Sequence, residues 1–157
     1  MKKLFLLILP ILFMSCLGNE NDLPTVDDSK DYDLINDEQI QSYLTANNLT
    51  AEKSSTGLYY IIENGGTGDA PTNTSNVTVS YKAYFLDGRV FDQANDVTFN
   101  LQQVITGFRE GLLLLQEGGK ATLLLPSKLG YREFGSSNGT VPPNTSIVFD
   151  VELVKVN

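Results

Sequence analysis

The sequence predicts an α+β domain in which an antiparallel sheet wraps one short helix. Three observations carry this. Several short segments after Gly57 alternate apolar and polar residues at the period of a half-buried strand. Only one long apolar run in that region, "ITGFREGLLLLQEGG", carries a helical reading. The Asp87-Gly88 pair marks a tight hairpin between two of the strand candidates. Strands gathered around a single helix bury the sheet's apolar face against that helix.

In chain order, the first segment is an address. "MKKLFLLILPILFMSC" joins two lysines to the apolar stretch Leu4–Met14, long enough for a secretory signal and too short to cross a bilayer. Small Ser15 precedes Cys16, the only cysteine in the chain. Residues 1–15 therefore read as a signal peptide. Here the sequence resembles a bacterial lipobox, which implies that Cys16 is diacylated and becomes the mature N-terminus. A multiply acylated cysteine anchors stably to a membrane. The expected location is the bacterial cell envelope, at the outer membrane on its periplasmic or surface face.

Residues 16–35 follow as an acidic tether. Eight acids and one lysine lie between Cys16 and Glu38. Such composition buries too little surface to offset chain entropy. A helix is expected over 36–48, with Asn36 as cap, Gln39 reaching back and Ile35 stapled to Ile40. Ile40, Tyr43 and Leu44 share one face of it, suited to docking on the domain or to a dimer contact. Asn47-Asn48 supplies a left-handed stop, and residues 36–56 form helix and connector.

The domain proper is residues 57–157. "GLYYII" (57–62) reads as a strand, and "NGGTGDAPTNTSN" as a loop of turn formers. "VTVSYKAYF" (77–85) puts Val77, Val79, Tyr81, Ala83 and Phe85 on one face. "RVFD" and "VTFNL" (97–101) read as two short strands. The helix is expected from Thr106 to Gln116, stopped by Gly118-Gly119. "KATLLLP" (120–126) and "SIVFDVELVKV" (146–156) complete the strands.

Composition narrows the chemistry. The chain has 157 residues, 41% of them hydrophobic, which suits one domain with a real core. Its net charge is −8 and its basic residues are scattered, so no cationic track exists to follow a nucleic acid. It has no histidine, which removes histidine-dependent triads and most zinc and haem sites. No calcium-loop spacing occurs, and neither metal nor cofactor is expected. Asp92, directly after Phe91, has no partner for proton transfer in its surroundings, so a role other than acid–base chemistry is expected of it.

The blocks "VTVSYKAYFLDGRVFD", "VITGFREGLLLLQEGGKATLLLPSKLGY" and "VPPNTSIVFDVELVKV" together resemble the FK506-binding-protein (FKBP) class of peptidyl-prolyl isomerases, in the family's order. The resemblance covers residues 57–157. It implies a five- to six-stranded antiparallel sheet curled around a short helix, with an apolar pocket between them. It also implies site residues. Tyr81 would form one wall, Phe91 and Phe99 the aromatic sides, and Val104 and Ile105 the entry to the helix. Phe108 would be the floor, where the family usually has Trp, and Phe149 would close the back. Tyr131 and the Val141 N–H would hydrogen-bond substrate or macrolide carbonyls, with Asp92 the polar group beside them. The implied activity is cis–trans isomerisation of X-Pro bonds in exported polypeptides, without covalent or acid–base steps. The alternative is a proline-peptide binding or chaperone module with little catalysis. The stretch from Phe91 to Phe99 is shorter than the family's, which is expected to weaken binding of FK506- or rapamycin-like macrolides. Arg132 stands after Tyr131, where the family often has Gly.

Overall fold

The computed structural model describes residues 30–157. The signal peptide, Cys16 and most of the acidic tether lie outside the described residues. Six strands form one antiparallel sheet: β1 (Glu52–Lys53), β2 (Tyr59–Asn64), β3 (Asn76–Phe85), β4 (Val90–Asn100), β5 (Gly119–Leu125) and β6 (Ile147–Val156), in the order β1-β2-β5-β6-β3-β4. Helix α1 (Tyr32–Ala46) precedes them, and helix α2 (Thr106–Leu112) lies between β4 and β5.

The sheet is the middle of three layers. On one face Val77, Val79, Leu123, Leu125, Ile147 and Phe149 meet Phe108 and Leu112 of α2. On the other, Tyr59, Leu124 and Val148 meet Ile40 and Leu44 of α1. This explains runs such as "LLL" at 123–125, which do not alternate: a strand covered on both faces has no polar side to present. The single face expected for Val77, Val79, Tyr81, Ala83 and Phe85 is present, all five packing in the α2-side cluster.

Helix α2 approaches the sheet closely because Gly107 and Gly111, one turn apart, carry no Cβ. One added at Gly111 would stand 2.6 Å from Leu123 Cδ2, and one at Gly107 2.6 Å from Leu125 Cγ. The helix is shorter than its sequence suggests, ending at Leu112 rather than Gln116. The chain tightens into i→i+3 bonds, Leu114 N to Gly111 O and Leu115 N to Leu112 O. Leu115 is thereby buried, and Gln116 donates its N–H to Gly65 O (2.8 Å) instead of to the helix.

Two further expectations are corrected. "RVFD" and "VTFNL" belong to one continuous strand, because Gln93 and Ala94 pair with Lys82 and Tyr81 across β3. The extra residues near Ser80 are absorbed as a bulge, where Asp96 takes φ 51° and donates its N–H to Ser80 Oγ (3.0 Å). The short 92–98 segment is therefore a bulged strand and not a loop. The first helix begins at Tyr32, inside the stretch read as tether, and Asp31 caps it by accepting from Asp33 N and Leu34 N, both at 3.1 Å. Asn48, at φ 54°, lies just past the helix's end in the left-handed conformation expected there.

Asn36 is not the cap because tertiary structure claims it. It is 1% exposed. Its Oδ1 accepts from Ser127 N (2.7 Å) and its Nδ2 donates to Asn144 O (3.1 Å). One side chain thus ties α1 to the segments on either side of the loop 130–143. Around it, Tyr59 Oη donates to Asp37 Oδ1 (2.6 Å) and Lys128 pairs with Asp33 (3.0 Å). Removing the amide leaves a buried donor and a carbonyl unmatched. Asn36→Ala is expected to cost about 1–3 kcal/mol, read by chemical denaturation. A change within error would show that Asn36 is incidental to docking.

Candidate functional site

The strands deliver aromatic residues to one end of the sheet's α2-side face. Period-two alternation aims Tyr81 from β3, Phe91 and Phe99 from β4, and Phe149 from β6 to that side. Helix α2 contributes Phe108 from the opposite layer. The Tyr81 ring lies 6.0 Å from Phe99, 5.9 Å from Phe108 and 6.0 Å from Phe149. Phe108 and Phe149 are 4.9 Å apart, Phe99 and Phe108 6.4 Å, and Phe91 and Phe149 6.4 Å. Tilted and edge-on contacts of this kind are the favoured aromatic geometries.

Burial is graded across the group. Phe108 (4% exposed) and Phe149 (6%) form a buried base. Tyr81, Phe91, Phe99, Val104, Ile105 and Tyr131 pack on the same cluster while keeping part of their surface exposed. Asp92 is exposed beside them. The result is an aromatic cluster with a buried apolar base, a partly exposed rim and one carboxylate beside it.

Tyr81 Oη donates to Asp92 Oδ2 at 2.7 Å. Burial, then the Asp92 hydrogen bond and charge, push the Tyr81 phenol well above the ordinary tyrosine range. Burial and the same carboxylate raise Tyr131. Both hydroxyls therefore stay protonated and able to donate. At the start of α2 the N-cap residue Ile105 has no side-chain cap, and the first N–H groups of a helix have no intrahelical acceptor. Backbone donors thus stand next to Val104 and Ile105. Among the described residues no three His, Cys, Asp or Glu side chains gather to hold a metal.

All ten residues singled out in the sequence for this site lie in or on this cluster, but Val141 does not offer the group expected of it. Its side chain is buried (2% exposed) and its N–H already donates to Ser136 Oγ (2.8 Å), while its carbonyl accepts from Ser136 N (2.9 Å). The polar loop 136–140 closes on itself and consumes the Val141 amide. Phe85 was missed. It stacks on Phe91 at 4.9 Å with the Arg89 guanidinium 5.0 Å from its ring. Its place in the inward alternation of β3 was the available signal. Phe134, 80% exposed and three residues after Tyr131, had no periodic signal at all.

The sequence model of the family described as FKBP-type peptidyl-prolyl cis-trans isomerase matches residues 68–154. A probable FKBP-type peptidyl-prolyl cis-trans isomerase FkpA of Neisseria meningitidis serogroup B is 47% identical over 107 residues, covering 66% of this chain and 39% of that protein. FkpA of Escherichia coli K12 is 41% identical over 107 residues, with the same two coverages of 66% and 39%. The crystal structure of FkpA from Escherichia coli superposes with a TM-score of 0.70 at 35% identity, over 76% of this chain and 58% of that one. A peptidyl-prolyl isomerase structure from Pseudomonas syringae pv. tomato gives 0.68 at 26% identity, over 79% and 95%. The chain spans about two fifths of the length of the curated relatives named here, 39% in each case.

Proposed function

The chain belongs to the FKBP-type peptidyl-prolyl cis-trans isomerase family, and from that premise we propose that this aromatic cluster forms a cup in which it catalyses rotation about X-Pro bonds of polypeptides. The observation that carries the reading is the convergence of Tyr81, Phe91, Phe99, Phe108 and Phe149 around a buried base, with the Tyr81–Asp92 hydrogen bond at its edge.

The chemistry requires no nucleophile. Rotation about a peptide bond costs about 18–20 kcal/mol because it breaks amide resonance. For X-Pro the two isomers are close in energy, so the obstacle is kinetic. The planar amide carries charge separation from N to O, and the twisted amide has lost much of it. Water therefore favours the planar state. A dry aromatic cup withdraws that preference, and each ~1.4 kcal/mol of differential stabilisation speeds the reaction about tenfold. Donors from Tyr131 and the start of α2 would hold flanking carbonyls while the bond turns. Asp92 would fix the Tyr81 hydroxyl and set the field at the carbonyl carbon, without exchanging a proton. FK506-like macrolides would compete for the same cup.

The test is isomer exchange in a short X-Pro peptide, followed by NMR with the full chain. The expected result is accelerated exchange that Phe91→Ala cuts by about tenfold or more. Asp92→Asn is expected to lower turnover modestly and add no ionisation to the pH–rate profile. Because both phenols are held protonated, the rate should stay flat up to about pH 10 and fall only above it. Peptide binding without acceleration would transfer the chain to the binding-module reading. A rate governed by a group titrating near pH 4–6 would refute the role given to Asp92.

We also infer that Cys16 is lipidated and tethers the domain in the bacterial envelope at the outer membrane, from the basic-apolar-small-cysteine order of residues 2–16. Cys16→Ser is expected to move the protein from the membrane to the soluble fraction of cells. Unchanged membrane association would reject the anchor.

A further inference from the structure

Of the chain's six prolines, Pro10 lies in the apolar N-terminal run, and Pro71, Pro126, Pro142 and Pro143 are built into the domain. Pro24 stands apart. It lies in the acidic stretch ahead of α1, preceded by Leu23 and followed by Thr25, Val26, Asp27 and Asp28. An apolar residue joined to proline suits an aromatic prolyl site, and this one is covalently attached to the domain.

The fold fixes where that stretch ends. Asn36 Nδ2 donates to Asn144 O (3.1 Å), and Asn144 N donates to Arg132 O (2.8 Å). Lys128, three residues before Tyr131, pairs with Asp33 at 3.0 Å. The start of α1 is thus tied to the turn that carries Tyr131 and Arg132. Laid out straight, the path from Asp31 through Asn36 and Asn144 to the Arg132 carbonyl measures roughly 22 Å from standard helix and backbone dimensions, and bending shortens it. Seven peptide steps lead from Asp31 back to Pro24, a reach of up to about 25 Å.

Arg132 is the second observation. It is exposed, and its φ of 57° is a left-handed conformation that glycine adopts freely and a residue with a side chain does not. Residues held this way gather at ligand clamps and active sites. Among the described residues no carboxylate pairs with its guanidinium. Asp27 and Asp28 lie between α1 and Pro24 in the chain, just as Arg132 lies between the ties to α1 and Tyr131 of the cup. A guanidinium–carboxylate pair is among the strongest hydrogen-bonded contacts, and one formed here points Pro24 toward Tyr131.

We propose that the cup takes the chain's own Leu23-Pro24 segment, drawn in from the same molecule and held by Asp27 or Asp28 on Arg132. The inference rests on the reading of the cup as the prolyl site. A client must then displace a tethered competitor, which so short a connection presents at an effective concentration on the order of millimolar. The protein isomerises its own Leu23-Pro24 bond and is partly closed to short, weakly bound clients.

The test follows cis–trans exchange at Leu23-Pro24 by NMR exchange spectroscopy in the isotope-labelled full chain and in a free peptide of residues 19–31. A separate X-Pro tetrapeptide reports on the cup itself. Exchange at Leu23-Pro24 should be at least about tenfold faster in the chain than in the peptide, unchanged on dilution, and lost in Phe91→Ala. Arg132→Gly, which relieves the left-handed backbone, should slow it severalfold, and so should added salt. Pro24→Ala should lower the KM of the tetrapeptide about threefold by freeing the cup. Exchange at the peptide's rate, with the tetrapeptide still accelerated, overturns the proposal and leaves the cup reading intact. Acceleration that falls in proportion to dilution overturns it too, because the segment then comes from a second copy. A tetrapeptide that is not accelerated refutes the cup reading, and the proposal falls with it.

Discussion

Phe108→Ala is expected to destabilise the protein by about 3–5 kcal/mol and to abolish measurable isomerisation. The magnitude follows from position. Phe108 is 4% exposed and is the common neighbour of Tyr81, Phe99 and Phe149, at ring separations of 5.9, 6.4 and 4.9 Å. Truncation removes a side chain that spans the helix and sheet layers, and the surrounding rings cannot all close on the void. Activity should fall further than stability explains, because the base of the cup becomes a cavity that admits water. Phe108→Leu separates the two effects. It keeps an apolar side chain of nearer size, so the cost should stay within about 1.5 kcal/mol. Turnover should nevertheless drop, since the aromatic base is gone. Chemical denaturation and peptide exchange on the same samples provide both readings. A leucine variant with full turnover would show that the base needs only to be apolar.

Gly135→Ala should produce the second large loss, by a different route. Gly135 sits at φ 71°, ψ −173°, a region essentially restricted to glycine. A Cβ there would collide with Val141 O and stand 3.0 Å from Pro142 C and Pro143 N, all backbone atoms that no rotamer change can move. The loop joining Tyr131 to Val141 would have to be rebuilt, displacing the Tyr131 hydroxyl and the Ser136–Val141 hydrogen bonds. Strain of this kind costs about 1–3 kcal/mol, and peptide turnover should fall with it. Gly139→Ala is the control. It lies in the same loop at φ 73°, with nothing within 4 Å of an added Cβ. Its penalty should be the left-handed backbone term alone, about 1–2 kcal/mol, with turnover largely kept. Equal effects from both variants would mean that the close approach at Gly135 is relieved without harm.

Much of this site is legible before any fold is known. Alternation in "VTVSYKAYF" assigns Tyr81 and Phe85 to one face, and the same rule placed on "IVFDVEL" points Phe149 inward while Val148 goes to the other side. The second helix is legible in the sequence, but its end is not. The four-leucine run satisfies a helical pattern to Gln116, whereas the helix stops at Leu112 because Leu115 and Gln116 are claimed by packing and by Gly65. Asn36 fails as a cap for a related reason. Local chemistry at "IND" favours capping, and the two long-range bonds to Ser127 and Asn144 outweigh it. The Val141 amide looks free in the sequence because nothing local announces that Ser136, five residues earlier, turns back to accept it.

The sequence alone determined the element types, the inward faces and the set of aromatic residues, because side-chain periodicity and turn chemistry act over a few positions. Tertiary structure decided the three-layer stacking with α1 on the far face, the merging of two strands into one bulged strand, and the partners of Asn36 and Ser136. Those depend on which distant groups meet after the sheet closes. A buried donor or acceptor takes whatever partner the packed chain brings within about 3 Å, regardless of separation along the sequence.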